Sequence, residues 1–344
     1  MIELRSDQLG FSFRDVHPDA QMSIEFQRTL RIPDDDGTYP LPPGLGRFPL
    51  RHVDDYSKTV PQRWIEHGGV MFPMYQSEAM WLNFNAKYIS NRETSYPFAI
   101  KVAAGKVNAV TGEPWTNGPH KPQDYMVAPE QPWLDGYCVT KGTIRQFVAM
   151  PLGSGYSAEE QISGKAEHGG VQVVVYPMKR DVFERRFPKI ERVERAVKYR
   201  AMACYDALEE VCAGDMGLAP GGKMKQEIYD DPYGLDDWDT ENCSRCFIHI
   251  ANSMVWSAIT GKKPPTVPPT AKEYTSAGLP WFDYYSDNNT AMEGSNVLNA
   301  LKSVVTMGKE KGDVPLPQND AVDPDNVVHL RQGLAKDEVR EGSF

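Results

Sequence analysis

The segment Met22-Ser23-Ile24-Glu25-Phe26-Gln27-Arg28-Thr29-Leu30-Arg31-Ile32 alternates between apolar and polar side chains along nearly its whole length. Successive side chains of a β-strand point to opposite faces, so a period of two predicts a strand with one buried face. Arg28 interrupts the apolar face. It therefore either marks the edge of a sheet or has a buried acidic partner.

Further strands are predicted on both sides of residue 100. Residues 98–110 are typical of a tight hairpin around Gly105. Residues 144–150 and 171–176 also favour strands, and the second is apolar on both faces, so we expect it to be central in its sheet. A proline-rich strap at residues 39–46 is expected to be extended and cannot be a central strand, because proline lacks the backbone N–H that a strand needs on both sides.

The second half of the chain has a helical pattern. Apolar residues recur at spacings of three and four between residues 190 and 211, which is the pattern of an amphipathic helix. Residues 242–260 are apolar most of the way round and are followed by Gly261 and two proline pairs, which predicts a mostly buried helix that ends there. A shorter helix is expected at residues 296–307.

Together these elements predict an α+β fold. Residues 1–178 are expected to form a β-rich region with hairpins and the proline-rich strap. Residues 179–308 are expected to form a C-terminal helical region that packs on it, and residues 309–344 to form a polar tail, because that segment has too few apolar residues to form a core of its own.

The composition excludes several classes of partner. The chain has 47 acidic and 37 basic residues, a net charge of −10, and its Lys and Arg are scattered. Nucleic acid and anionic membranes favour concentrated positive charge, so neither is expected to bind. The longest apolar stretch, residues 171–178, is too short to span a bilayer, and the N-terminus has no basic start before an apolar segment. We therefore expect a soluble, cytoplasmic protein with no membrane insertion.

Neither of two sequence patterns that suggest a cofactor is complete. Cys243, Cys246 and His249 have a spacing that suggests zinc, but on the predicted helix residues advance by about 100° each, which would separate Cys243 from His249 by about 120°. Residues 217–223 match the first part of a phosphate-binding P-loop, but Met224 stands where a Ser or Thr would hold magnesium. We predict no metal site and no cofactor, and five irregularly spaced cysteines favour reduced thiols.

Three tryptophans directly follow a proline, and two of these pairs open the same pattern, Pro-Trp-apolar-Asp-x-Tyr, at residues 132–137 and 280–285. Proline restricts its own φ and the preceding residue, so these tryptophans are expected on stiff, non-helical segments. They are either platforms for a ligand or partner, or pegs buried in the core. The binding candidates are Trp115, Trp133, Asp135, Tyr137, Trp281, Asp283 and Tyr285.

The long connection at residues 153–170 is a candidate functional loop. Ser157-Ala158-Glu159-Glu160 has the capping-box pattern, which predicts a helical turn. Glu160 and His168 are candidate acid-base groups if they converge with groups elsewhere; otherwise they are surface charge. Cys243 is a third catalytic candidate, because a thiol at a helix N-terminus can have a lowered pKa.

These patterns favour a non-enzymatic binding or self-assembling structural protein that uses its aromatic and proline-rich loops. Its expected partners are further copies of itself or other protein subunits. The alternative is a small-molecule enzyme whose site includes the 153–170 loop. No linear catalytic motif supports the alternative, but many enzymes assemble a site from residues far apart in sequence.

Overall fold

The computed structural model describes residues 1–190, 215–286, 289–313 and 319–331, with the backbone alone at residues 285 and 331. Strands make up 38% of the structure and helices 17%. The strands, numbered along the chain, are β1 (Ile2–Arg5), β2 (Gln8–Ser12), β3 (Gln21–Thr29), β4 (Thr38–Tyr39), β5 (Gly44–Arg47), β6 (Arg51–His52), β7 (Val70–Met74), β8 (Ala79–Ala86), β9 (Tyr88–Ile89), β10 (Thr94–Ser95), β11 (Phe98–Ala104), β12 (Val107–Asn108), β13 (Met126–Ala128), β14 (Trp133–Leu134), β15 (Gly136–Thr140), β16 (Thr143–Pro151), β17 (Val171–Pro177), β18 (Met216–Lys225), β19 (Ser244–Asn252), β20 (Trp281–Tyr285) and β21 (Val327–Arg331).

The helices of the described residues are short. They are α1 (Gln62–His67), α2 (Ala158–Ser163), α3 (Arg180–Arg186), α4 (Ser253–Thr260), α5 (Ala271–Ser276), α6 (Asn296–Asn299) and α7 (Val304–Lys311). None of these helices has the length and apolar character needed to cross a membrane.

Two large sheets hold most of the strands. A ten-stranded sheet follows the order β1-β2-β3-β8-β16-β18-β4, with β5, β14 and β15 paired alongside it. A seven-stranded sheet follows the order β12-β11-β17-β19-β7-β6, with β13 beside β11. Most neighbours are antiparallel; the β18–β4, β19–β7 and β20–β21 pairs are parallel. Both large sheets therefore combine strands from early and late parts of the chain.

The two large sheets share one apolar core, in which aromatic rings meet across the interface. The Phe26 ring on β3 lies 5.4 Å from the Phe72 ring on β7, and Phe48 stacks on Phe72 at 4.8 Å. All three are fully buried. Burial of a phenylalanine of this kind stabilises a fold by roughly 1.5 to 3 kcal/mol, so this interface is a main source of stability.

The strand predicted first from the sequence is confirmed as β3, which runs from Gln21 to Thr29. Arg28, which interrupts its apolar face, has a buried acidic partner: its guanidinium lies 3.0 Å from a carboxylate oxygen of Glu78. The hairpin at residues 98–110 is also confirmed, with Gly105 at a φ of +56° in its turn. β17 lies inside the seven-stranded sheet between β11 and β19, as its apolar character predicts.

The predicted α+β fold with a C-terminal helical region is wrong, because the chain is mostly β-sheet and its helices are few and short. The clearest error is the helix expected at residues 242–260. Residues Ser244–Asn252 form β19, a strand with neighbours on both sides, and only Ser253–Thr260 is helical. A segment that is apolar on all sides fits a buried strand as well as a buried helix, and periodicity alone does not distinguish the two.

Other parts of the second half differ from the prediction in smaller ways. The helix expected at residues 296–307 is divided into α6 and α7. The described part of the predicted tail includes β21, which pairs with β20. The helix expected between residues 190 and 211 lies outside the described residues, apart from Ile190, and remains a prediction.

The proline-rich strap packs into its own molecule. β4 pairs with β18 and β5 pairs with β3, while the backbone of Leu41 exchanges both hydrogen bonds with Phe282. Residues 217–223, which resemble a P-loop, lie within the strand β18. A side chain at Gly222 would come within 2.2 Å of the Pro33 carbonyl oxygen. This glycine is therefore explained by the close approach of β18 to the segment between β3 and the strap.

Candidate functional site

A groove lies on the face of the seven-stranded sheet that is turned away from the inter-sheet core. β17 and β19 pair so that Gln172 lies opposite Phe247 and Val174 lies opposite Arg245. Side chains alternate along a strand, so these four residues share one face, while Ile250 faces the other side in register with Phe72. The sheet thus carries a second, outward set of side chains that the core does not use.

We call this feature the outer-sheet groove and define it by the side chains that line it. Its volume is about 180 Å³. Trp115 and Phe247 are only partly buried, and Arg245 is exposed. The lining residues are His67, Lys106, Trp115, Gln172, Val173, Val174, Arg245, Cys246 and Phe247.

One wall of the groove is an aromatic stack that continues into the protein. His67 lies parallel to Phe247 at 4.5 Å between ring centres, Phe247 stacks on His249 at 4.4 Å, and His249 stacks on Trp64 at 4.6 Å. The last two members of this stack, His249 and Trp64, are buried. Because buried rings support it from behind, the groove wall is held in a fixed position.

Trp115 also lines the groove. Its ring covers the Lys101 ammonium, which lies 5.3 Å from the ring centre and forms an ion pair of 2.5 Å with Asp124. The Trp115 backbone N–H donates to the Lys106 carbonyl at 2.8 Å. These contacts fix the position of Trp115 and also neutralise Lys101, so Lys101 adds little free charge to the groove.

Three basic side chains at the groove form no ion pair with a described residue. Lys106, Arg245 and His67 form no ion pair with any residue that the structure describes. The contact of the Arg245 guanidinium is with the Cys243 sulfur, at 3.9 Å. Among the residues that the structure describes, no carboxylate lines the groove. The groove is therefore locally positive, although the whole chain carries a net charge of −10.

The two imidazoles near the groove respond to this positive charge. Burial is the main cause that lowers the pKa of His67, and the nearby Lys106 and His168 charges lower it further. The pKa of His168 is lowered in the same way, by burial and then by Lys106. Both imidazoles are therefore mainly neutral at pH 7.

The loop at residues 153–170 brings His168 to this region but uses its carboxylates for structure. The predicted capping box is confirmed: Ser157 caps α2, and Glu160 accepts hydrogen bonds from the backbone N–H groups of Gly153 and Gly155. Glu159 is buried and accepts from three backbone N–H groups at residues 167–169. Glu160 thus holds the loop in shape, and His168 alone of this loop's candidates lies near the groove.

The first Pro-Trp phrase lies in the ten-stranded sheet, away from the groove. Trp133 is half-buried and packs at 4.5 Å from the Tyr284 ring. Asp135 is fully buried, and its carboxylate accepts a hydrogen bond of 2.7 Å from the Gln226 amide. Tyr137 is buried, and its hydroxyl donates to the Leu218 carbonyl. None of these three residues lines the outer-sheet groove.

The second Pro-Trp phrase is also part of the protein's own packing. Trp281 is fully buried, and its indole N–H donates to the Thr275 hydroxyl at 3.1 Å. The Asp283 carboxylate is 3.6 Å from both the Lys225 ammonium and the His329 imidazole. The side chain of Tyr285 lies outside the described residues, so its assignment remains a prediction.

Of the three residues that resembled a zinc motif, Cys246 and His249 lie on β19 and Cys243 directly precedes it. The helical geometry argued from the sequence therefore does not apply. Cys246 faces the opposite side of β19 from Cys243 and His249, because successive residues of a strand alternate. The described ranges contain no group of three or more His, Cys, Asp or Glu side chains that could hold a metal ion. Cys243 is half-buried beside Arg245.

The structure therefore brings together Trp115, His168 and Cys243 from the sequence-based candidates. His67, Lys106, Arg245 and Phe247 were not identified from the sequence. Arg245 and Phe247 could have been found if residues 243–249 had been assigned to a strand, which places alternate residues on one face. His67 is the last residue of α1 and carried no signal in the sequence.

Comparison of the chain with protein-family models, with curated proteins and with solved structures finds no match. Its function is therefore inferred from the residues of the groove.

Proposed function

We propose that the chain is a non-enzymatic binding protein and that the outer-sheet groove binds a small anion carrying one flat ring. The observation that supports this proposal most directly is the unpaired positive charge beside partly exposed aromatic walls. Lys106 and Arg245 carry this charge, and Trp115 and Phe247 line the same space. Ligand sites typically combine apolar walls with a few polar groups that fix orientation.

The size and walls of the groove suit a single ring. Its volume is about 180 Å³, and an apolar cavity of roughly 150 Å³ can hold a molecule the size of benzene. Trp115, Phe247 and Val174 all line the space. Aromatic rings favour offset or edge-to-face contact with another ring, so a flat ligand would gain more here than a branched one.

The charges favour a carboxylate or another planar oxyanion on that ring. The Arg245 guanidinium presents a planar set of N–H donors that can hold two oxygen atoms at once. Lys106 adds a compact positive charge from the turn between β11 and β12. Together they supply both attraction and orientation, and the neutral His67 can take up a proton when the anion binds.

Calorimetric titration with benzoate as the probe tests the proposal. Benzoate should bind more tightly than phenol, which has the ring without the charge, and more tightly than acetate, which has the charge without the ring. Arg245→Ala and Lys106→Ala should each weaken benzoate binding by about tenfold, the usual effect of losing one charge-assisted hydrogen bond. Trp115→Leu should weaken benzoate and phenol but leave acetate unchanged.

Arg5→Ala is the matched control, because Arg5 lies on β1 of the other large sheet and is exposed. It should bind benzoate like the wild type. Binding of acetate as tight as that of benzoate would contradict the ring requirement. Equal losses in Arg5→Ala and Arg245→Ala would show that general surface charge, and not the groove, attracts the anion.

The alternative of a small-molecule enzyme is supported by one observation. The His67 and His168 imidazoles lie near Lys106 and have lowered pKa values, so either can accept a proton at neutral pH. Hydrolysis of phenyl acetate, followed by proton NMR, tests this alternative. An enzyme of this kind should lose turnover in His168→Gln while its benzoate affinity is unchanged; absence of wild-type turnover would leave binding as the function of the groove.

A further inference from the structure

Arg31, two residues beyond the end of β3, is a buried charge without a counter-charge. Its residue is only 5% exposed. Its Nη2 group donates one hydrogen bond, of 3.0 Å, to the Asn319 side-chain oxygen. The Nε and Nη1 groups have no partner among the residues that the structure describes. Removal of a cation from water is unfavourable by several kcal/mol unless a charge of opposite sign compensates for it.

The neighbouring carboxylates do not supply that compensation. Asp34 is the acidic residue whose charge raises the Arg31 pKa, but its oxygen atoms already face the Val305 backbone N–H and the Arg145 guanidinium. Glu78 is paired with Arg28. Burial lowers the pKa of Arg31 to about 10, so the guanidinium is still charged at neutral pH.

The buried guanidinium forms part of the wall of an open cleft, which we call the Arg31 cleft. Its volume is about 180 Å³. Lys309 is an exposed cation with no ion pair in the described part of the chain, and the Ser77 hydroxyl has only a weak contact of 3.7 Å with the Met150 sulfur. One carboxylate lines the cleft, that of Asp313, and the Tyr156 hydroxyl donates to it. The cleft is lined by Arg31, Gln76, Ser77, Tyr156, Lys309 and Asn319, among others.

We propose that the Arg31 cleft binds a small oxyanion, either a carboxylate or a phosphate group, which supplies the missing counter-charge. The Nη2 group, whose partner Asn319 also lines the cleft, has a second N–H that can donate to an oxygen atom of such a group. Lys309 and the Ser77 hydroxyl provide further donors in the same cleft. This site is separate from the outer-sheet groove, since the two share no lining residue.

A bound water could satisfy an N–H group but could not neutralise the charge. A second, smaller cavity of about 20 Å³ lies against Arg31, between Ser77 and Pro268. That volume is enough for about one water molecule. Water would therefore accept hydrogen bonds from Arg31 but leave its buried charge uncompensated. A bound oxyanion would compensate the charge, so only the oxyanion explanation predicts that added oxyanion stabilises the fold.

Thermal unfolding at constant ionic strength tests the proposal, with acetate or inorganic phosphate replacing chloride. A ligand that binds only the folded state raises its Tm as its concentration rises. We expect a rise with at least one of the two oxyanions, and the one that acts identifies the group that is bound. No rise with either, relative to chloride, would overturn the proposal.

Arg31→Met separates an uncompensated charge from a structural arginine. Because the variant removes the buried charge and retains most of the side-chain volume, we expect it to be at least as stable as the wild type in chloride, and to lose the oxyanion-dependent rise in Tm. A rise that persists in Arg31→Met overturns the proposal, as does a large destabilisation by this substitution in chloride.

Two surface variants keep the test decisive if Arg31→Met does not fold. Lys309→Ala should fold normally, because Lys309 is exposed, and should need a higher oxyanion concentration for the same rise in Tm. Arg245→Ala, in the other groove, should show the wild-type rise. If Arg245→Ala loses the rise in Tm and Lys309→Ala keeps it, the oxyanion binds in the outer-sheet groove and the proposal for Arg31 is overturned.

Discussion

The ten-stranded and seven-stranded sheets each bury an ionisable side chain, and burial shifts their pKa values in opposite directions. Asp135 precedes β15 in the first sheet, and burial raises its pKa to about 7 although the Gln226 amide donates to it. His249 lies on β19 in the second sheet, and burial lowers its pKa to about 3 although its ring N–H donates to the Gly68 carbonyl. In both cases the fold favours the neutral form.

The two residues should therefore affect stability with opposite signs over the same range of pH. The unfolded chain protonates His249 below about pH 6.5 and the folded chain does not, so stability falls as the pH drops from 6.5 towards 3. The folded chain keeps Asp135 protonated up to about pH 7, whereas the unfolded chain ionises it near 3.8, so stability falls as the pH rises between these values. Between about pH 4 and 6.5 the two effects oppose each other, and the wild-type profile should be nearly flat.

Substitution of His249 should have the larger effect on this balance. His249→Phe retains a ring between Trp64 and Phe247 but cannot be protonated. The variant should not show the wild-type loss of up to about 5 kcal/mol in the free energy of unfolding between pH 6.5 and 3. It also leaves the Gly68 carbonyl without a donor, which should lower the free energy of unfolding by about 1 to 3 kcal/mol at all pH values. Urea unfolding from pH 3 to 8 measures both. A variant curve parallel to that of the wild type would show that His249 is protonated in the fold.

Substitution of Asp135 should change how stability depends on pH between about pH 4 and 7. Asp135→Asn keeps an oxygen that can accept from the Gln226 amide but removes the ionisation. The variant should avoid the loss of up to about 4 kcal/mol that the wild type suffers between pH 4 and 7, so its stability should rise steadily with pH under the remaining influence of His249. The same urea series measures this slope. A variant that becomes less stable than the wild type at pH 8 would indicate that the carboxylate is charged and compensated in the fold.

The smallest effect is expected at the partly exposed imidazoles of the outer-sheet groove. The pKa values of His67 and His168 are lowered by burial and by Lys106, and a bound anion would raise them again. Benzoate affinity should therefore increase a few-fold as the pH falls from 7 towards 5.5. This corresponds to about 1 kcal/mol or less of binding free energy, and the effect is small because solvent screens these groups. His67→Gln should reduce this dependence without abolishing binding. An affinity that falls with decreasing pH would exclude proton uptake as the cause.

The sequence predicts the parts of the fold in which a pattern has one structural meaning. Alternation over residues 22–32 has no helical interpretation, and the capping box at Ser157 and Glu160 has a specific geometry. The segment 242–260 has two interpretations, because apolar residues on all sides suit a central strand and a buried helix equally. Here the pairing with β17 and β7, which only the folded chain contains, determines the outcome.

The candidate site was less accessible from sequence, for a related reason. Trp115 drew attention because it follows a proline, and His168 because it lies in a long loop. Lys106, Arg245 and His67 are ordinary charged residues whose significance comes from being near one another without carboxylates. Such convergence depends on the register of β17 and β19 and on where α1 ends, and no spacing along the chain encodes it.

The alternation of side chains along β19 also sets the chemical reactivity of its two thiols. Cys246 is half-buried, and burial raises its pKa to about 12, as it does for Cys138. Both should be poor nucleophiles towards alkylating reagents, because the thiolate is the reactive form. Cys243 emerges on the other face, within 3.9 Å of Arg245. Of these three thiols, it is the one at which an environment-sensitive dye would attach, and a dye there would report optically on whatever occupies the groove.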